Sequence, residues 1–171
     1  YDATGRLIRK ELGNDTFTTY VYDSASQLLS LVNHAPDGSV NSSFDYTYDA
    51  LGRRTSVTTL EGLTTYGYDA KSQLTSVVLP DGRTIIYEYD SEGNRVSVTD
   101  DGVRSDYDTN ELNQYTKVAD ATYRYDADGN LVAVSESAAT RNYSYDADNR
   151  LTAVYFGSDL HTFEYDALGH L

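Results

Sequence analysis

Oxygen-bearing side chains at every second position form the most conspicuous candidate for chemistry in this sequence. Asp126, Asp128 and Asn130 alternate in this way within the stretch YRYDADGNLVAV. Alternating carboxylates and amides supply calcium ligands in helix-loop-helix sites, which also require a glycine at position six and a glutamate at position twelve. Leu131 and Ser137 occupy those two positions here. The sequence therefore disfavours a calcium site, and we predict no metal and no other cofactor.

A hairpin turn is the alternative interpretation of the same residues. Asp126 and Gly129 hold the first and fourth positions of a four-residue turn, where Asp accepts hydrogen bonds from nearby backbone N–H groups and Gly adopts a positive φ. Such a turn gives a three-residue hairpin connection. The fourth position is occupied elsewhere by Gly5, Ser26, Gly52, Ser72, Gly93, Glu111, Asn149 and Gly169. The two serines and the glutamate predict weaker turns.

The dipeptide Tyr-Asp before this turn recurs along the whole chain. It occurs nine times, at intervals of 18 to 26 residues, beginning at Tyr1, Tyr22, Tyr48, Tyr68, Tyr89, Tyr107, Tyr125, Tyr145 and Tyr165. A second Tyr stands two residues earlier in six repeats, Phe163 replaces it in the last, and Ser105 interrupts it in the sixth. A spacing of two places both rings on one face of a β-strand. The repetition predicts a unit of two strands and two turns, hence about sixteen short antiparallel strands.

The residues that define this repeat are our predicted site, and we assign them a structural role. The set comprises Tyr22, Asp23, Tyr48, Asp49, Gly52, Tyr68, Asp69, Tyr89, Asp90, Gly93, Tyr125, Asp126, Gly129, Tyr145, Asp146, Tyr165, Asp166 and Gly169. We predict no catalytic and no metal-binding residue. Residues 1–171 are predicted to form a single array of about eight full repeats.

Composition restricts the partners. The chain has 171 residues and a net charge of −14, which disfavours nucleic acid because its phosphates require a basic surface. No apolar run approaches the roughly 18 residues of a membrane-spanning helix, so we predict no membrane insertion. Seventeen Tyr and no Cys indicate that tyrosine supplies much of the packing and that disulfides are absent.

The motif Tyr-x-Tyr-Asp-x-x-Gly-x-Leu, repeated about every 20 residues, resembles the YD repeat of the Rhs family. That family includes bacterial polymorphic toxins, shell components of Tc toxins, wall-associated proteins and teneurins. The resemblance implies an all-β fold: a ribbon of antiparallel β-hairpins that spirals as a β-solenoid into a partial hollow shell. In toxin members the shell encloses a toxic polypeptide, and an Asp-Pro-x-Gly region cleaves it. Neither Pro36 nor Pro80 follows an Asp, so we expect a wall segment only.

Two functional classes follow. The first is a structural, non-catalytic wall of a β-shell that encloses a toxin or other passenger polypeptide; the alternative is a carbohydrate- or cell-surface-binding adhesion module. A glycosidase needs two carboxylates in unlike environments, whereas repetition multiplies one environment, so we predict no enzyme.

Expected partners are the other repeats of the parent protein, an enclosed polypeptide, glycans, and further copies through strand edges left open at Tyr1 and Leu171. We expect the parent protein to be secreted or at the bacterial cell surface.

Arginines and histidines near the turns are secondary candidates. Arg53, Arg95 and Arg150 are predicted to be solvated cations just beyond the turn, and contacts with neighbouring rings or acidic residues are the alternative. The histidines are scattered in sequence and, without Cys, make a zinc cluster improbable. They are His34, His161 and His170, which we interpret as surface polar residues.

Overall fold

The structure, a computed structural model, describes residues 1–166 and 168–170 of the chain. This part of the chain contains sixteen β-strands and no helix. In the first half these are β1 (Arg9–Glu11), β2 (Phe17–Tyr22), β3 (Leu28–His34), β4 (Val40–Tyr48), β5 (Arg54–Thr59), β6 (Gly62–Tyr68), β7 (Leu74–Val78) and β8 (Thr84–Tyr89). The others are β9 (Arg95–Asp100), β10 (Val103–Thr109), β11 (Tyr115–Val118), β12 (Ala121–Tyr125), β13 (Leu131–Glu136), β14 (Ala139–Tyr145), β15 (Leu151–Phe156) and β16 (Asp159–Thr162). The predicted all-β class of repeated antiparallel hairpins is confirmed.

The chain divides into two compact units. One consists of residues 1–87 with 99–103, and the other of residues 88–98 with 104–171. Within each unit, hydrogen-bonded neighbours are strands that follow one another in the chain. Each unit is therefore a simple antiparallel meander.

One face of the sheet carries the tyrosines, and their cross-strand partners are branched aliphatic residues. Tyr46 pairs with Val57, Tyr123 with Val134, and Tyr143 with Val154. Cross-strand pairs of this kind contribute about 0.2–1 kcal/mol each. The Val that recurs in the return strand is therefore the packing partner of the first Tyr in the motif.

The opposite face carries small residues. Thr47 Oγ1 lies 2.6 Å from Ser56 Oγ on the adjacent strand, so two hydroxyls share a hydrogen bond. Further along, a Cβ built on Gly67 would lie 2.3 Å from Ser76 Oγ, which leaves no space for a side chain there. The two faces thus differ in chemistry as the alternation of residues along each strand predicts.

Few residues of this thin sheet are fully buried. The buried side chains are Val77, Ser97, Ala133, Val134 and Ala153. Because so few of the described side chains are buried, stability depends on contacts between successive repeats, as in other repeat proteins. None of the described residues forms a helix that is long and apolar enough to cross a membrane.

The sixth repeat differs from the sequence-based prediction. Tyr107 pairs with Val118, as Tyr123 pairs with Val134, so Tyr107 is the first aromatic residue of this repeat and not the one before the turn. The turn that follows spans Asn110 to Asn113, whose φ is 58°. Assigning the fourth turn position to Glu111, and describing the repeat as interrupted by Ser105, was therefore wrong by two residues.

Candidate functional site

The repeated Tyr-Asp turn is the candidate site, and Asp126 shows its geometry. The backbone N–H groups of Asp128 and Asn130 donate to Oδ1 of Asp126, at 3.0 Å and 2.8 Å. The Asn130 side chain donates to Oδ2 at 3.1 Å. Gly129 N–H donates to the Asp126 carbonyl at 3.2 Å and closes the turn, with a φ of 84°. Both carboxylate oxygens therefore bind the turn itself, which leaves them poorly suited to hold a cation.

The same turn forms in every repeat, including those with unusual residues. The fourth residue has a positive φ in all nine turns: Gly5, Ser26, Gly52, Ser72, Gly93, Asn113, Gly129, Asn149 and Gly169. Ser26 and Ser72, which we expected to form weaker turns, donate their backbone N–H groups to Asp23 and Asp69 at 3.2 Å and 3.1 Å. The turn hydrogen bond is thus kept where glycine is absent.

Backbone hydrogen bonds to the turn carboxylates lower their pKa values. The backbone N–H four residues on is the leading cause in four turns, because it stabilises the ionised carboxylate. The pKa is lowered for this reason at Asp2, Asp126, Asp146 and Asp166. At Asp49 partial burial opposes the effect, and the bonds from Arg53 outweigh it, so the pKa is again lowered. These carboxylates are held ionised as structural acceptors, which is unfavourable for a general acid.

In six repeats the tyrosine before the turn ties its hairpin to the preceding one. Its hydroxyl donates to the backbone carbonyl of the residue that begins the preceding return strand or, for Tyr22, to that of Leu7, two residues before β1. For example, Tyr145 Oη lies 3.0 Å from Leu131 O. The other bonds of this kind join Tyr22 to Leu7, Tyr48 to Leu28, Tyr68 to Arg54, Tyr125 to Tyr115, and Tyr165 to Leu151, at 2.8–3.1 Å. Burial raises the pKa of Tyr145, so the hydroxyl remains a donor.

Arginine after the turn connects one repeat with the next. The Nε of Arg53 donates to Oδ2 of Asp49 at 2.7 Å, and its guanidinium lies 4.8 Å from the ring centroid of Tyr68. Arg150 pairs with Asp146 in the same way, and its guanidinium lies 5.1 Å from the ring of Tyr165. The prediction of solvated cations was therefore wrong for both arginines, and the alternative of ring contacts and ion pairs is what the structure shows.

Arg95 does not occupy the same position as Arg53 and Arg150, because Asn94 stands between it and its turn. Near Arg95, Tyr115 takes the place of the tyrosine that is absent from position 109. Thr109 stands before the sixth turn, so this repeat lacks the usual hydroxyl. Tyr115, at the start of the following strand, accepts a hydrogen bond from Arg95 N–H at 3.2 Å and packs edge-on against Tyr107 at 5.3 Å. The Arg95 guanidinium lies 5.8 Å from the Tyr107 ring. A tyrosine supplied from the neighbouring strand thus compensates for the substitution at position 109.

The histidines do not converge on a site. His34 stacks on Phe17 with ring centroids 4.4 Å apart, so it is half-buried and not the surface residue that we expected. His170 is exposed and contacts Asp166 at 3.1 Å, and His161 is exposed on β16. Over residues 1–166 and 168–170, no three His, Cys, Asp or Glu side chains are grouped to hold a metal ion.

Two functional residues of the repeat escaped sequence reasoning. Asn110 takes the role of the turn aspartate, because its Oδ1 accepts the backbone N–H groups of Leu112 and Gln114, both at 3.0 Å. Asn113 supplies the positive φ. The spacing Asn-x-x-Asn followed by Gln was the signal that could have located them, since Gln27 follows the second turn at the same position.

Comparison of the sequence with known families gives two matches. The sequence model described as Teneurin YD-shell matches residues 43–171, and the one described as RHS Repeat matches residues 1–40. No curated protein sequence matches this chain. The two families together account for nearly the whole chain, in agreement with the resemblance inferred from the Tyr-Asp motif.

Solved structures with a similar fold include Tc toxin proteins. The Photorhabdus luminescens Tc holotoxin pore aligns with a TM-score of 0.60 and 20% identity over 90% of this chain. The complexes TcdB2-TccC3-Cdc42 and TcdB2-TccC3 without its hypervariable C-terminal region align over 91%, with TM-scores of 0.60 and 0.61 and identities of 19% and 18%. In each case the chain spans 11% of the matched chain, so these likenesses concern the fold of one segment.

Proposed function

Because the chain belongs to the teneurin YD-shell family, we propose that it is a wall segment of a β-shell that encloses a toxin or other passenger polypeptide. The family match covers residues 43–171, and the repeat match covers most of the remainder. In this proposal the chain has a structural and non-catalytic role, its immediate partners are further repeats of its parent protein, and the parent protein acts outside the cell.

The observation that carries this proposal is that the side chains of the motif residues form hydrogen bonds with the backbone of this same chain. Asp126 accepts two backbone N–H groups of its turn, and Tyr125 donates to the Tyr115 carbonyl of the preceding hairpin. The aspartate fixes the turn of its own repeat and the tyrosine joins that repeat to its neighbour, which is what a continuous wall requires. A catalytic or ligand-binding site would instead leave polar groups directed at a substrate.

Limited proteolysis of the full-length parent protein tests enclosure. We expect residues 1–171 to resist digestion together with a non-repeat segment of the same polypeptide, which is the passenger. Replacing Asp126 and Asp146 by Ala should open the wall locally and shorten the lifetime of that passenger segment. Asp128→Ala is the matched control, because the Asp128 backbone N–H bond to Asp126 survives the substitution.

Two outcomes would overturn the proposal. One is that every non-repeat segment of the parent protein is digested at the rate of a free polypeptide. The other is that the passenger is equally protected in the wild-type protein and in the Asp126 and Asp146 variant while the wall itself is cleaved at these turns.

A glycan-binding measurement distinguishes the adhesion alternative from the proposed shell function. Sugar recognition would need tyrosine faces that are free to stack, whereas the Tyr68 and Tyr165 rings are covered by arginine guanidiniums. We therefore expect no saturable binding on a glycan array or in calorimetric titration. Saturable binding that is lost when Tyr66 is replaced would favour the adhesion module. Self-association through strand edges stays a prediction, for which light scattering over a range of concentrations is the measurement.

A further inference from the structure

Two variable positions of the repeat contact each other across neighbouring turns. The residue directly after each turn, here termed the clamp residue, reaches the fourth residue of the next turn, termed the seat residue. Within the two units the clamp residues are Arg6, Gln27, Arg53, Asn94, Gln114, Asn130 and Arg150. Their seat residues are, in the same order, Ser26, Gly52, Ser72, Asn113, Gly129, Asn149 and Gly169.

Arginine clamps meet serine seats in two of these pairs. Arg53 Nη1 donates to Ser72 Oγ and to the Asp69 carbonyl, both at 3.1 Å. Arg6 Nη1 makes the same two contacts, with Ser26 Oγ at 3.4 Å and with the carbonyl of the next turn's aspartate at 2.7 Å. A guanidinium has enough donors to bind its own aspartate and the next turn at once.

Asparagine clamps meet asparagine seats. Asn94 Nδ2 donates to Asn113 Oδ1 at 2.8 Å, and Asn130 Nδ2 donates to Asn149 Oδ1 at 2.7 Å. The asparagine side chain is too short to reach the next backbone as arginine does. The second asparagine shortens the gap, so that two amides meet between the turns.

Glutamine clamps meet glycine seats. Gln114 Nε2 donates to the Gly129 carbonyl at 2.9 Å, and a Cβ built on Gly129 would lie 3.3 Å from that nitrogen. At Gly52 the corresponding distance to Gln27 Nε2 is 3.0 Å. A side chain at either seat would therefore displace the glutamine. Arg150 and Gly169 are the exception among the seven pairs, with an arginine facing a glycine at 3.9 Å from the Cβ position.

The serine seats are unexpected on backbone grounds alone, whereas asparagine tolerates a positive φ. Ser26 and Ser72 have φ values of 65° and 66°, and those of Asn113 and Asn149 are 58° and 60°. Glycine adopts this conformation without the steric cost that a side chain introduces, and serine is a poor substitute. A contact that only the side chain can make accounts for the two serines, and the clamp provides that contact.

We infer that clamp and seat residues are matched pairs, through which each turn recognises the turn that follows it. Three combinations satisfy the geometry: Arg with Ser, Asn with Asn, and Gln with Gly. The repeats are then not interchangeable, because a turn placed after the wrong clamp loses a hydrogen bond or meets a blocked seat. The variation at the fourth turn position reflects the identity of the preceding turn.

Double-mutant cycles measure this matching. In the first cycle Arg53→Gln and Ser72→Gly are made singly and together, and the unfolding equilibrium constant is obtained from urea denaturation. The loss of the Asp49 and Tyr68 contacts is common to both backgrounds and cancels in the cycle. We expect the double variant to be more stable than the product of the single effects predicts, by about threefold to tenfold in the equilibrium constant.

The control cycle combines Arg6→Gln with Ser72→Gly. These residues have the same types as the first pair but belong to different pairs, so their effects should multiply to within about twofold. The inference is overturned if the first cycle is also multiplicative within twofold, or if the control cycle shows equal coupling.

Rewriting one pair provides a second test in the other unit. Asn130→Gln alone should increase the unfolding equilibrium constant about threefold or more, because the longer amide meets the Asn149 side chain. Adding Asn149→Gly creates the Gln with Gly combination and should restore the wild-type value within about twofold. Recovery that is no greater than the effect of Asn149→Gly in the wild-type background would refute matching at this pair.

Discussion

Removing one tyrosine hydroxyl isolates the bond that joins successive hairpins. In Tyr145→Phe the ring and its packing remain, while the hydrogen bond to the Leu131 carbonyl, 3.0 Å long, is lost. A hydrogen bond of this kind contributes about 0.5–1.5 kcal/mol net. Because the Leu131 carbonyl is only half-buried and water replaces part of the bond, we expect a loss of about 1 kcal/mol, or roughly a fivefold change in the unfolding equilibrium constant.

Tyr143→Phe is the matched control for this prediction. Tyr143 lies two residues earlier on the same strand and faces Val154, and its hydroxyl has no hydrogen-bond partner among residues 1–166 and 168–170. Urea unfolding followed by circular dichroism should show a clear decrease in stability for Tyr145→Phe and a change within about 0.5 kcal/mol for Tyr143→Phe. Equal stability of the two variants would refute the role assigned to the tyrosine hydroxyl.

Three further predictions concern the turn. Asp126→Ala should destabilise the chain at least as much as Tyr145→Phe, since two backbone N–H groups lose their acceptor, while Asp128→Ala should have little effect in the same urea assay. Gly129→Ala should cost about 1–2 kcal/mol because φ is 84°, whereas Gly13→Ala, at a glycine without positive φ and with open space, should be neutral within about 0.5 kcal/mol. The turn aspartates have lowered pKa values in the folded chain, so their contribution is complete above the unfolded value of about 4 and is lost as pH falls through the folded values. The urea midpoint should therefore decrease steadily as the pH is lowered from about 5 to 3, and a midpoint that is constant over this range would contradict the assignment.

The sequence was sufficient for the fold because the repeat combines two independent local signals. Alternating aromatic residues before Asp126 indicate a strand, and Asp followed by Gly129 indicates a turn of defined geometry. Nine copies of this combination leave few alternatives to an antiparallel meander. The strand count and the fold class were predicted correctly for this reason.

Contacts between repeats could not be predicted, because they depend on register between residues that are 10 to 20 positions apart in sequence. The sixth repeat shows the difficulty. Reading Tyr107 as the residue before the turn is natural in the sequence, yet its pairing with Val118 places it two residues earlier in the motif. The compensating Tyr115 and the clamp pairs become visible only when neighbouring turns are placed side by side.

Hydrogen exchange at the backbone amides of Asn130 and Arg150 tests the central claim most directly. Each amide donates to the carboxylate of its own turn, at 2.8 Å and 2.9 Å. Measured by NMR in the presence of EDTA, both amides should exchange far more slowly than those of an unstructured chain, and Asp126→Ala should release the amide of Asn130 but not that of Arg150. Exchange at unstructured rates in EDTA, with protection appearing only after calcium is added, would show that these aspartates serve a metal ion and not the turn.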